Sequence, residues 1–208
     1  MSRGRGRPTG GSSPLSEARL LDGALDLFAE AGYDGTSVRE LCRRLGVSHG
    51  LVHQRYGSKD RLWFAAVDHG FEDLAGEFVE AADRADDDAD EIRQVMVRFL
   101  EVTARRPALM QVINQEATSP GPRLDHIVDN YLAPAIEVME DALARLRADG
   151  RAREIDAPVL YILITHGVGG VLSLTALSDR LGLKDTRRDP TAFAEQIVDV
   201  VLDGLLVR

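Results

Sequence analysis

The run LDGALDLFAEAGYDGTSVRELCRRLGVSHGLVHQRYGSKDRL, from Leu21 to Leu62, decides the fold. Just before it Ser16 is suited to cap a helix, in which Leu20, Leu21, Ala24, Leu25 and Phe28 recur at helical spacing until Gly32 stops it. Thr36 or Ser37 can cap a second helix with Val38, Leu41, Cys42 and Leu45 on one face, and Gly46 provides its exit. Only Val47 and Ser48 then intervene. Ser48 can cap a third helix whose inward residues are Val52 and Tyr56, leaving His49, His53 and Gln54 on the opposite side.

A turn this short makes its two helices cross steeply, an arrangement that lets the second lie in a DNA major groove while the first braces it on the backbone. Gly57-Ser58 closes the third helix and opens a fourth, from Lys59 towards Ala82, with apolar positions at Leu62, Phe64, Val67, Phe71, Leu74 and Phe78. The acidic run from Asp83 to Glu91 reads as a solvated linker whose last carboxylates favour the next helix N-terminus. Helices follow at 91–105, 107–118, 123–149, 156–181 and 190–206. Their punctuation is Pro107, Ser119-Pro120-Gly121-Pro122, Gly150, Asp156-Ala157-Pro158 and Asp189-Pro190. With no alternating strand pattern, the expected fold is all-α with about nine helices. A flexible basic arm (1–14) precedes a three-helix helix-turn-helix DNA-binding domain (15–62). The fourth helix joins that domain to a helical ligand-binding and dimerisation bundle (63–208).

The net charge of -9 argues against nucleic acid until it is divided. Residues 1–63 hold 10 basic against 7 acidic side chains, whereas the remaining 145 hold 15 against 27, so a basic head leads an acidic body that DNA repels. Cys42 is the single cysteine and sits among Val38, Leu41 and Leu45, where it reads as a small core residue. No intramolecular disulfide can form, and nothing reads as a signal peptide, so the expected compartment is the cytoplasm. From Ala157 to Ser178 no side chain is charged, yet Thr165, His166, Ser173 and three glycines fit a buried helix better than a membrane span.

The stretch from Leu21 to Leu62 closely resembles the DNA-binding signature of the tetracycline-repressor (TetR) family. The likeness is carried by Leu27-Phe28-Ala29-Glu30, Gly32-Tyr33, Thr36-Ser37-Val38-Arg39, Gly46-Val47-Ser48, Gly50 and Ser58-Lys59. It implies base or phosphate contacts from Thr36, Ser37, Arg39, Ser48, His49, Gly50, His53 and Gln54, and a phosphate contact from Lys59. The chemistry agrees: Arg39 can grip guanine through its fork of donors, Gln54 can read adenine, and Lys59 brings charge to a helix N-terminus. Leu51 and His53 replace the threonine and tyrosine usual in the family, which implies an altered operator preference; Arg55 is a substitute phosphate contact. In the arm, Arg5-Gly6-Arg7-Pro8 resembles the core of an AT-hook. Whether Arg3, Arg5 and Arg7 enter a minor groove or simply attract phosphate, they should strengthen binding.

The resemblance also implies a ligand-responsive regulator, most simply a repressor released from operator DNA by a small molecule, that dimerises through its last two helices. Leu160, Leu163, Ile164, Val168, Val171, Leu172, Phe193, Ile197, Val200, Val201 and Leu205 supply apolar surface there. Phe71, Phe78, Met96, Phe99, Met110, Asn114, Tyr131, Tyr161 and His166 have the chemistry of a bundle pocket. The scarcity of charge in the central helices points to an uncharged, largely apolar effector. No HExxH spacing, phosphate loop or nucleophile elbow occurs, so an enzyme, a cofactor and a metal are not expected. Asp125, His126 and Asp129 read as solvated polar residues. The competing reading is a helical-bundle ligand carrier or interaction protein without sequence-specific DNA binding.

Overall fold

The computed structural model describes residues 16–183 and 188–207, so Arg3, Arg5 and Arg7 lie outside the described residues. These residues form ten helices, with a single antiparallel bridge between Ala152 and Leu206 as their only extended pairing. Helix α1 runs Glu17–Gly35, α2 Val38–Leu45, α3 His49–Tyr56 and α4 Lys59–Ala82. Then follow α5 (Asp88–Arg105), α6 (Ala108–Glu116), α7 (122–148) and α8 (157–173). The last two are α9 (Thr175–Arg180) and α10 (Pro190–Leu205).

Serine hydroxyls start the first four helices. Ser16, Ser37, Ser48 and Ser58 each accept from the backbone N–H three residues on, at 3.1–3.4 Å. Gly32 interrupts α1 with φ +72° and ψ 170°, a backbone that only glycine adopts without strain. That kink swings Thr36 back under the helix. The Thr36 hydroxyl lies within hydrogen-bond reach of the Leu27 carbonyl (3.1 Å) and the Gly32 carbonyl (2.8 Å). Gly46, left-handed at φ +66°, turns α2 into α3.

Helix α1 buries Leu20, Ala24 and Phe28, and α4 buries Leu62, Trp63, Ala66 and Val67; the two helices pack along a shared seam. Leu41, Val52 and Tyr56 complete the core of the head. In the body, α5 packs on α4, α8 and α10, and α6 reaches back to α1.

Three expectations change. The segment expected as one helix over 156–181 breaks at Leu174 (φ −86°, ψ 59°), which makes ten helices of the expected nine. Within α8, Leu163–Val168 winds as a wider π turn, and Gly169 passes so close to Phe99 that an added Cβ would lie 3.2 Å from the ring. A glycine-rich run has little helical preference of its own, so packing decides its path. The acidic linker ends earlier than expected: Asp87 caps α5, which starts at Asp88. It is also more than solvated, because Asp87 pairs with Arg151 (2.7 Å) and Asp88 with Arg145 (3.0 Å), tying α5 to the end of α7.

Gly32→Ala should lower stability by about 1–3 kcal/mol, the cost of a side chain at this backbone angle. Urea unfolding followed by the emission of Trp63, the single tryptophan and fully buried at the α1–α4 seam, measures it.

Candidate nucleic-acid interface and effector cavity

Helix α3 turns Val52 and Tyr56 inward and leaves His49, Gly50, His53, Gln54 and Arg55 exposed. The Tyr56 hydroxyl reaches the Glu17 carboxylate (3.2 Å) and so fastens the end of α3 to the start of α1. His49 and His53, one turn apart, stack their rings at 6.4 Å. Nothing lies within 4 Å of a Cβ added to Gly50, so the first turn of α3 presents bare backbone. Leu51 is half-buried.

The cations of the head divide into two groups. Arg43 (2.6 Å) and Arg44 (3.1 Å) both pair with Glu40, and Arg44 also with Glu30 (2.6 Å). Hydrogen bonds from Arg43 and Arg44 hold the Glu40 carboxyl down to about 2, so the two pairs made by Glu40 are fully present above the ordinary glutamate range and are lost as the pH falls through that value. Arg39 is exposed and has no hydrogen-bond or ion-pair partner among the described residues.

The serines and the threonine also separate. Ser37 and Ser48 cap helices as acceptors, which leaves each hydroxyl proton free to be donated. Thr36 is different. It is buried, its hydroxyl is spent on two carbonyls, and its N–H is bonded to Tyr33, so its expected DNA contact is withdrawn and its role is to brace the α1–α2 corner.

Lys59 opens α4 with its ammonium over the Tyr33 ring, 4.1 Å from the centroid. The Arg123 guanidinium, at the start of α7, lies 3.8 Å from the same centroid and is itself anchored by Glu116 (3.0 Å). The Tyr33 hydroxyl donates to Asp60 (2.5 Å); burial and this bond push its pKa up to about 12, so it remains a donor at neutral pH. Beside this cluster Gln115 of α6 donates to the Ala29 carbonyl of α1 (2.7 Å). The body thus touches the head through both α6 and α7.

A cavity of about 340 Å³ opens where α1, α4, α5 and α6 meet. Leu25, Leu74, Phe99, Leu109 and Met110 form its apolar wall, while Asp22, Asp26, Asp73, Glu77, Arg105 and Arg106 surround its mouth. Arg105 pairs with Glu77 (3.0 Å) and Arg106 with Asp73 (2.6 Å). Asp26 has no such partner among the described residues; burial, then Asp22 and Glu30, push its carboxyl up.

The nine residues expected at a pocket are not gathered in one place. Phe99 and Met110 line this cavity, and Phe78 lies beside Phe99 (6.5 Å between ring centroids). Phe71 instead stacks flat on Tyr131 at 4.1 Å, next to Asp68, which accepts from Tyr131 (2.7 Å) and His126 (2.6 Å). His126, read from the sequence as merely solvated, therefore ties α7 to α4. Met96 is core. Asn114 on α6 keeps a buried side-chain oxygen without a hydrogen-bond partner. Tyr161 lines a separate apolar cleft of about 410 Å³ between α7 and α8, with His166 exposed nearby.

Potential metal-ligand atoms of Asp22, His69 and Asp73 lie within 4.8 Å of one another at the cavity mouth. They are already engaged with neighbours: His69 contacts Asp22 at 3.2 Å, and Asp73 pairs with Arg106. Among the described residues no helix is long and apolar enough to cross a membrane.

Residues 20–66 match the family of bacterial regulatory proteins, tetR family. The transcriptional repressor AcnR of Corynebacterium efficiens is 31% identical over 193 residues, covering 86% of this chain and 95% of that repressor. The chain belongs to the TetR family. The likeness is densest in the head: the transcriptional repressor Rv3405c of Mycobacterium tuberculosis is 48% identical over 52 residues, which span 25% of this chain and only 28% of that relative. Among solved structures, the ketosteroid regulator KstR2 of M. tuberculosis superposes with a TM-score of 0.71 at 18% identity, covering 93% of this chain and 96% of that one. FadR of Bacillus subtilis, solved with stearoyl-CoA, gives 0.69 at 15%, covering 89% and 97%. Both show that this TetR fold extends through the body.

Glu40→Gln should release Arg43 towards phosphate, while Arg44 keeps its pair with Glu30. DNA binding then tightens with little regard to sequence, and the slope of log K against log salt steepens by up to about 0.9 for the arginine recruited. Anisotropy titrations on matched and scrambled duplexes across a salt series measure both effects.

Proposed function

We propose that this TetR-family protein is a homodimeric, sequence-specific repressor released from operator DNA by a small molecule. The observation that carries the reading is the exposed face of α3, capped by Ser48 and anchored by Tyr56, together with the exposed Arg39 of α2, which has no partner among the described residues. Arg39 and Gln54 read base edges, Gly50 lets the backbone approach, and His49, His53, Arg55, Ser37, Ser48 and Lys59 serve bases or phosphates.

Dimerisation is proposed through α8, α9 and α10. Leu160, Ile164, Leu172 and Leu205 are buried in this chain's own core and do not belong to the proposed interface. Val159, Ile162, Leu163, Leu174, Leu177, Leu181 and Val200 are exposed instead and supply the apolar face. Two copies related by a twofold axis would set their α3 helices about 34–36 Å apart, one turn of DNA.

The effector is proposed to seat in the cavity beside α1. The apolar wall favours a largely apolar body without net charge, and Asp22 and Asp26 at the mouth disfavour an anionic group. Since Asp22, Leu25 and Asp26 belong to α1, an occupant contacts the helix that carries the head. Differential affinity for two head orientations is all that release requires.

Fluorescence anisotropy with duplexes from the region upstream of its own coding sequence, against scrambled duplexes at fixed salt, tests the reading. Preferential binding lost in Arg39→Ala/His49→Ala supports it, whereas sequence-blind binding there and in a genomic-fragment selection would overturn it. Leu177→Asp should convert a dimer to a monomer in analytical ultracentrifugation, because a charge at a closely packed apolar face is left without a partner.

A further inference from the structure

Lys59 differs from Arg43 and Arg44 in how it is held. Those arginines face carboxylates that cancel their charge, while the Lys59 ammonium lies over an aromatic ring, which attracts a cation without neutralising it. The neighbouring carboxylate, Asp60, is occupied by the hydroxyl of that same ring. Tyr33 therefore orients the ammonium with its face and engages the nearest negative charge with its edge. The ring is in turn backed by a cation of the body, Arg123, which Glu116 fixes with both side chains three-quarters or more buried.

We propose that Tyr33 and Arg123 are positioning residues for DNA binding: the ring, seated by Arg123, keeps the Lys59 ammonium away from Asp60 and aimed at a phosphate from the N-terminus of α4. The inference rests on the phosphate contact proposed for Lys59 and adds the parts that prepare it. It also identifies a direct route from body to head. Arg123 begins α7, the helix that holds Asp68 of α4 through His126 and Tyr131, so a displacement of α7 moves the seat of Lys59. Gln115, bonded to Ala29, moves with the same end of the body because Glu116 follows it in the chain.

The test is a double-mutant cycle on the full-length protein, using the tightest duplex recovered by genomic-fragment selection. Arg123→Leu and, separately, Tyr33→Phe should each weaken binding about two- to tenfold, the range spanned by ordering one long side chain at an interface. Lys59→Ala should weaken binding and reduce the salt slope by about 0.9, one phosphate contact. In the Lys59→Ala background the Arg123→Leu and Tyr33→Phe effects should vanish, since both act through the missing ammonium. A general loss of structure would persist there and would lower the thermal midpoint, which is measured alongside. Equal losses in both backgrounds, or no loss in either, overturn the proposal while leaving the effect of Lys59→Ala intact. If Lys59→Ala changes neither affinity nor slope, the phosphate contact itself is wrong, and the positioning role falls with it.

Discussion

The packing of α1 against α4 is the constraint on which the rest depends. Leu20, Ala24 and Phe28 on one side and Leu62, Trp63, Ala66 and Val67 on the other are almost wholly removed from water. Burying side chains of this size contributes on the order of 1.5–3 kcal/mol each. The seam belongs to head and body at once. Helix α1 starts at the anchor of α3, Glu17, and ends at the brace of α2, Thr36, while α4 starts at Lys59 and runs on into the bundle. A change at the seam reaches α3 through the Tyr56–Glu17 contact and through α2, which packs on both α1 and α3.

Polar contacts then decide which way the seam can move. Gln115 with Ala29 and Arg123 with Tyr33 join the body to the end of α1. His126 and Tyr131 converge on Asp68 in the middle of α4. All three involve the α6–α7 region. The cavity opens on α1 at Asp22, Leu25 and Asp26, on the same helical stripe as Ala29, and α6 both lines it and supplies Gln115, so the cavity and these contacts meet on one helix. Coupling between distant sites requires an element that both sites can bias, and α1 is the helix that both of these regions touch.

Charge is distributed with the same economy. The acidic body repels DNA as a whole, yet Asp87 and Asp88 are engaged with Arg151 and Arg145, and Asp73 and Glu77 with Arg106 and Arg105. In the head Glu40 and Glu30 occupy Arg43 and Arg44, while Arg39, Arg55 and the ring-held Lys59 have no carboxylate paired to them among the described residues. Residues 16–63 hold seven basic against seven acidic side chains, so the formal excess of the head is that of Arg3, Arg5 and Arg7. Within the described head it is the pattern of pairing that leaves a few cations available, which suits a reader of sequence better than a general polyanion binder.

The sequence by itself determined the all-helical class, the three head helices with their serine caps, the inward residues Val52 and Tyr56, the outward His49, His53 and Gln54, and membership of the TetR family. These are local: spacing, capping and turn glycines act over a few residues, and each signal lies wholly within one short run. Only the tertiary structure decided that Thr36 is an internal brace, that Leu174 breaks the uncharged segment, that Asp87 starts α5, and that Phe71 and Tyr131 stack rather than share the cavity with Phe99 and Met110. It also decided the partners of Tyr33, whose ring meets Arg123 across ninety residues of chain. Such contacts depend on which helix faces which, and the side chains that make them, a tyrosine after a glycine or an arginine after a proline, look the same in sequence whether they meet water or one another.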